Sequence, residues 1–237
     1  TLLVKKSFEK NAFYLSIFLL PSTPFVSSII LLFLAIKLSF KNKTYFSDKW
    51  NIPFFFTGIL IIFSCLSNFI SSPLFNNQSY EVNLIWIGIL NWIPYFWLFW
   101  VFQEFSENSK DRYKIGKFLL AGSFPVILTC LAQYFLKIHG PFTFLQGTIT
   151  WYLRPIHSYN GMSGLFNNAN YTGTWLNIIL PFSLVLFFEE KKYLFKRFVS
   201  IFFLFFILIC TIFTFSRNAI LGLKIGSILV MGYKSLK

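Results

Sequence analysis

The chain has 237 residues, 56% of them hydrophobic, 22% aromatic and only 12% charged, and phenylalanine alone accounts for 34. A water-soluble domain carries about 25% charged residues, so this composition excludes an ordinary soluble fold and makes lipid the solvent for most of the chain. The formal net charge of +13 would suggest nucleic acid in a soluble protein. Here the basic residues lie between apolar runs, where they report membrane topology, and nucleic acid is not an expected partner.

Runs of ~20 apolar residues are long enough to cross the hydrocarbon core of a bilayer. The first apolar stretch, 11–38, is interrupted by Pro21-Ser22-Thr23-Pro24. Proline removes a backbone donor and clashes with the preceding turn. The stretch is therefore predicted to form two short helices, 11–21 and 24–38, folded into a hairpin. Further helices are expected over 52–70, 84–102, 115–138, 171–188, 198–215 and 219–233, with a long loop at 139–170. The expected fold is all-α: one transmembrane domain, a polytopic bundle of about eight helices. Loop 139–170 is too long for a simple turn, and its Trp151, Tyr152 and Tyr159 suit a membrane–water interface. It is expected to lie along the surface and dip back into the bundle. Cys65, Cys130 and Cys210 each fall inside an apolar run and read as small buried hydrophobes.

The charges alternate along the chain. Basic segments surround Lys5–Lys10, Lys37–Lys49, Lys110–Lys117, Lys191–Arg197 and the tail, and hold 17 of the 21 Lys and Arg. The segments 71–83, 139–170 and 216–218 are nearly free of them. The positive-inside rule then assigns the basic segments and both termini to the cytoplasm of a bacterial inner membrane. Both flanks of 11–38 are basic, which is why that stretch is read as a hairpin.

The chemistry of the outer side is defined first by what it lacks. Loop 139–170 has no Asp or Glu, and Glu81 is the one carboxylate of the outer segments. A paired-carboxylate glycosidase site and a carboxylate-held metal are therefore not expected. Arg154 and Arg217 are isolated cations in outer segments. An arginine near hydrocarbon is costly but suits phosphate oxygens, which its planar donors bind in a multidentate fashion. Residues 161–174 bring small residues and amides to the start of the helix predicted from 171. A helix N-terminus offers free N–H groups and a positive dipole end to an anion. Asn167, Asn168 and Asn170 are placed either to cap that helix or to donate to a ligand.

Two segments carry a family resemblance. Gly164-Leu165-Phe166-Asn167-Asn168-Ala169-Asn170-Tyr171-Thr172-Gly173 resembles the G-x-F-x-N-x-N-x-x-G segment of the O-antigen ligase and O-antigen polymerase superfamily. Phe213-Thr214-Phe215-Ser216-Arg217-Asn218-Ala219-Ile220-Leu221-Gly222-Leu223 resembles its T-x-SR-x-x-x-L segment, in the same order and about one helical hairpin away. The resemblance covers 150–223. It implies transfer or polymerisation of glycan from an undecaprenyl-diphosphate carrier at the periplasmic face, with outer arginines holding the diphosphate and no cofactor or metal. On that reading Arg154, Arg217, Asn167, Asn170 and Ser216 bind substrate, and the partners are the lipid-linked glycan and membrane lipids. Family members continue into a large outer loop with a catalytic histidine, whereas the sequence in hand ends at Lys237. The base needed by the acceptor hydroxyl is then expected in a further C-terminal part, or at His157, three residues after Arg154. Two alternatives stand beside this reading: a transporter of bicarbonate or a lipid-linked sugar, and a non-catalytic assembly subunit.

Overall fold

Apolar runs in lipid must satisfy their own backbone, and the helix does this within one segment. The computed structural model, which describes residues 2–41, 45–71, 83–156, 161–189 and 194–235, follows that rule. Its helices are α1 Leu2–Leu19, α2 Pro24–Ser39, α3 Asn51–Ser71, α4 Asn83–Phe102, α5 Ser109–Gly122, α6 Phe124–Phe135, α7 Ala169–Glu189, α8 Leu194–Phe213 and α9 Arg217–Ser235. The all-α bundle read from composition is the architecture found. Among the described residues, five stretches are long and apolar enough to span a bilayer: α3, Leu84–Phe105, the pair α5–α6, α7 and α8. The chain is a multi-pass membrane protein. The apolar helix α2 is shorter, at 16 residues. The expected helix 219–233 corresponds to α9, which begins at Arg217, carries Lys224 within its apolar run and is not among the five.

Helix boundaries depart from the sequence reading: the expected helix 11–21 begins earlier, at Leu2, and ends at Leu19. The expected helix 115–138 begins earlier, at Ser109, and is broken at Ser123 into α5 and α6. Pro125 sits in the first turn of α6, where its missing donor costs nothing. The Ser123 hydroxyl turns back to the Leu119 carbonyl at 2.7 Å and tightens the break. The expected loop 139–170 holds an antiparallel hairpin, β1 Phe142–Phe144 with β2 Ile149–Trp151, which pairs Thr143 with Thr150. β-Branched and aromatic residues favour such pairing, and Gly147, at φ 87°, serves its turn. Loop segment 71–83 with Glu81, and Tyr159, lie almost wholly outside the described residues.

The chain divides into two compact units, Thr1–Leu31 with Ser109–Lys237, and Leu32–Asn108. The second is built on the antiparallel pair α3–α4, whose rings interlock: Phe54 lies 4.7 Å from Phe99 and 5.1 Å from Phe96. At one end of this pair, Asn51 and Gln103 exchange side-chain amide hydrogen bonds at 3.0 and 3.4 Å. These local contacts give residues 32–108 a packing of their own.

The first unit is built on close helix approaches. Lys10 meets Asp111 at 2.8 Å, Tyr14 stacks on Phe118 at 5.1 Å, and a Cβ on Gly122 would lie 2.1 Å from the Phe18 carbonyl oxygen. These successive contacts run in the same order along both helices, so α1 and α5 are parallel. In the same way Gly173 faces Ala219, Asn177 faces Gly222 and Leu180 faces Gly226, so α7 and α9 are parallel. The core is filled by Val126, Ile127, Leu176, Ile179, Leu180 and Ile207. Met162 and Leu165 join that core, so the long loop does dip back into the bundle.

Gly122→Val is expected to force α1 off α5, because the added carbons would collide with backbone at Phe18. Overpacking of this kind costs about 1–3 kcal/mol. A thermal melt of the detergent-solubilised protein should show a lower midpoint for this variant than for Gly232→Val, whose surroundings are open.

Candidate functional site at the loop end of the helix bundle

One end of the first unit gathers the long loop, the C-termini of α6 and α8, and the N-termini of α7 and α9. Its organiser is Gln133, fully buried near the end of α6. The Gln133 Oε1 accepts the backbone N–H groups of Ser163 at 3.1 Å and Gly164 at 2.9 Å. Its Nε2 donates to the Arg154 carbonyl and to Ser163 Oγ. Ser163 Oγ also accepts the Arg154 N–H at 3.0 Å. Next to this hub, Leu153 N–H donates to the Gly164 carbonyl and Tyr152 N–H to that of Leu165. The backbone on both sides of Arg154 is thereby fixed to the motif segment that precedes α7.

That segment fits only with glycine at key positions. Gly164 adopts φ 50°, and a Cβ there would lie 2.7 Å from Cys130 Sγ. A Cβ on Gly161 would lie 1.9 Å from the Thr214 carbonyl oxygen. Met162 N–H donates to the Phe213 carbonyl at 3.0 Å, and a Cβ on Gly173 would lie 2.5 Å from Ala219 Cβ and 3.5 Å from Ser216 Cβ. The two segments that carry the resemblance are thus packed directly on one another.

The site residues expected from the sequence divide into groups. Arg154 and Asn167 line a polar groove of about 240 Å³ together with Pro155, Gly161, Ser163 and Asn168. The Arg154 side chain is exposed and has no protein partner among the described residues. Asn168 caps α7: its Oδ1 accepts the Asn170 N–H at 2.8 Å, and its carbonyl receives those of Tyr171 and Thr172. Asn170 is exposed on the first turn of α7 and does not line the groove. Ser216 caps α9, its Oγ accepting the Ala219 N–H at 3.3 Å. Arg217, exposed at the first position of α9, likewise does not line the groove, while its neighbours Ser216 and Ala219 face Gly173 in α7. His157 lies outside the described residues, and His139 is exposed after α6.

Sequence reasoning missed Gln133, Ser163 and Thr172. Thr172 is buried and its hydroxyl donates to the Ser163 carbonyl, tying the first turn of α7 to the loop. The available signal was Gln133 itself, an amide inside an apolar run, since polar groups at such positions are retained for a partner.

Arg154 and Arg217 lie at the same end of the unit as the N-termini of α7 and α9, and residues 136–175 contain no Asp or Glu. Aligned peptide dipoles give each N-terminus roughly half a positive charge. Such an end suits an anion with several oxygens.

Gln133→Ala should leave two buried N–H groups and the Arg154 carbonyl without their partner. An unsatisfied buried group costs about 1–3 kcal/mol, so the alanine variant should melt well below wild type in detergent. Gln133→Glu, which keeps the two acceptor bonds, should melt between the two. Compared with family models, curated proteins and solved structures, the chain gives no match.

Proposed function

We propose that the chain is a membrane glycosyltransferase-type protein that handles glycan carried on undecaprenyl diphosphate at the periplasmic face of a bacterial inner membrane. One observation carries the reading. The segment after Arg154 and the segment around Arg217 pack together at one end of the bundle, through Met162 on Phe213 and Gly173 on Ala219. A pyrophosphate there would meet guanidinium donors, amides such as Asn167, and a surrounding sequence without carboxylates to repel it. The opposite end carries Lys114, Lys117, Lys196 and Arg197, which favours a cytoplasmic placement for it and an outer placement for the site. In this reading Arg154 and Arg217 hold the diphosphate leaving group and neutralise the charge that grows on it as the glycosidic bond breaks. Asn167 orients the donor. Ser216 and Asn168 hold the helix ends that present the arginines and amides.

Removing one preorganised donor to developing charge typically lowers turnover by about 10²–10³-fold. Arg154→Ala and Arg217→Ala are each expected to reduce glycan transfer on the order of a hundredfold, read as loss of the ladder on a glycan gel from cells that express the variant at wild-type level. Wild-type ladders from both would end the diphosphate role.

A separate experiment tests the shared compartment. Cys65, Cys130 and Cys210 are all buried, so the background labelling is low. Arg154→Cys and Arg217→Cys should both react with a membrane-impermeant thiol reagent added from the periplasmic side, and Lys114→Cys should not. Labelling of positions 154 and 217 from opposite sides would overturn the reading.

A further inference from the structure

The β1–β2 hairpin precedes Arg154 and has no part in the proposed transfer, yet its two faces differ sharply. Directly opposed residues of an antiparallel pair project to the same face, and neighbours along a strand alternate. The register therefore puts Phe142, Phe144, Ile149 and Trp151 on one face and Thr143 and Thr150 on the other. From Gly140 to Leu153 the chain has no charged residue.

The aromatic face is turned toward the helix ends. At the root of the hairpin Trp151 packs against the buried core, and its indole N–H donates to the Ser22 carbonyl, in the turn after α1, at 2.9 Å. Phe144 continues the same face with its ring edge-on to Trp151 at 5.3 Å, but it is 46% exposed. Leu145, at the tip, is 70% exposed. The tip lies about 10 Å beyond the Phe142–Trp151 pair at the rise of a strand. The hairpin thus rests on the bundle at its root and carries its apolar side past the bundle at its tip.

The tip is also poorly matched to water. Leu145 and Gln146 adopt φ of 50° and 55°, where hairpin turns ordinarily place Asn, Asp or Gly. A leucine held there gains from its side chain only if that side chain leaves water. The neighbouring surface leads into lipid: Phe135, which ends a membrane-spanning stretch, and Leu136 after it are exposed in the same way. Aromatic side chains concentrate at the level where headgroups give way to acyl chains.

We infer that the hairpin is inserted into the interfacial layer of the bilayer at the loop end of the bundle, with Phe144 and Leu145 among the upper acyl-chain segments and Thr143 and Thr150 toward water. The partner is the bilayer itself. Without a cation between 140 and 153, insertion draws on apolar area and needs no anionic lipid. It requires only that the helices cross a membrane, and it holds whatever chemistry takes place at Arg154. It ties the loop that carries Arg154 to the membrane surface.

The test uses the full chain with Leu145→Cys or Thr143→Cys, labelled with nitrobenzoxadiazole and reconstituted into phosphatidylcholine vesicles. Cys65, Cys130 and Cys210 are buried, so label goes to the added thiol. The probe at 145 should emit to the blue of the probe at 143, lose intensity to a nitroxide carried high on the lipid acyl chain, and resist aqueous iodide. The probe at 143 should show the opposite order of the two quenchers. Vesicles that include phosphatidylglycerol should give the same pattern. Phe144→Cys supplies a second reading of the aromatic face, and each labelled variant is taken from a monodisperse elution peak. A probe at 145 as open to iodide as the free dye would overturn the inference. Protection from both quenchers would show that protein covers the tip, and would overturn it equally. So would nitroxide quenching that appears only when phosphatidylglycerol is present.

Discussion

The close parallel crossing of α7 on α9 is the constraint on which the candidate site depends. In lipid, helices gain little from hiding apolar surface, so association relies on close packing and interhelical hydrogen bonds. Gly173 and Gly222 supply the closeness, since a Cβ at either would lie about 2.5 Å from the facing helix. Asn177 supplies the bond, its Nδ2 donating to the Ala219 carbonyl at 3.0 Å. Parallel packing puts both N-termini at one end, and the three-residue turn 214–216 brings α9 back beside α7. Separation of these two helices would move Arg217 away from the loop that holds Arg154.

Gln133 performs the complementary task on the loop side. Its four hydrogen bonds go to backbone and to Ser163, and none goes to a charged side chain. The Arg154 main chain is therefore hydrogen-bonded at both its N–H and its carbonyl while its side chain stays exposed. With no partner for the guanidinium among the described residues, little further ordering of the backbone would be needed for an anion to bind there.

Much of this was legible in the sequence. Long apolar runs gave the helices, and Pro21 and Pro24 gave the break between α1 and α2. The glycines of 161–173 and Gly222 stood in recognisable segments, but their reason, a backbone approach too close for a Cβ, requires the partner helix to be known. The hairpin at 142–151 was not read, since six residues of strand in an apolar, aromatic loop differ little in pattern from an interfacial coil. The break at Ser123 was missed for a similar reason: a single proline in an apolar run is tolerated in many membrane helices, as Pro94 and Pro181 are here. The ring contacts of Phe54 with Phe96 and Phe99 could not be seen either, because they depend on how α3 and α4 meet and on no property of either helix alone.

Helix direction links the charge pattern to the packing. Alternating basic segments require α1 and α5 to leave the same side of the membrane, and α7 and α9 both to return toward it. That requirement uses only the positions of Lys and Arg. The packing meets it through unrelated contacts: Lys10 on Asp111 and Phe18 on Gly122 for one pair, Gly173 on Ala219 and Asn177 on Gly222 for the other. The turn after α1 also belongs with the long loop, since the Trp151 indole N–H donates to the Ser22 carbonyl at 2.9 Å. Both pairs run parallel, as the alternation of basic and non-basic segments requires whichever face the basic segments occupy. Their agreement places the loop end and the lysine-rich end at opposite ends of the helices of the first unit.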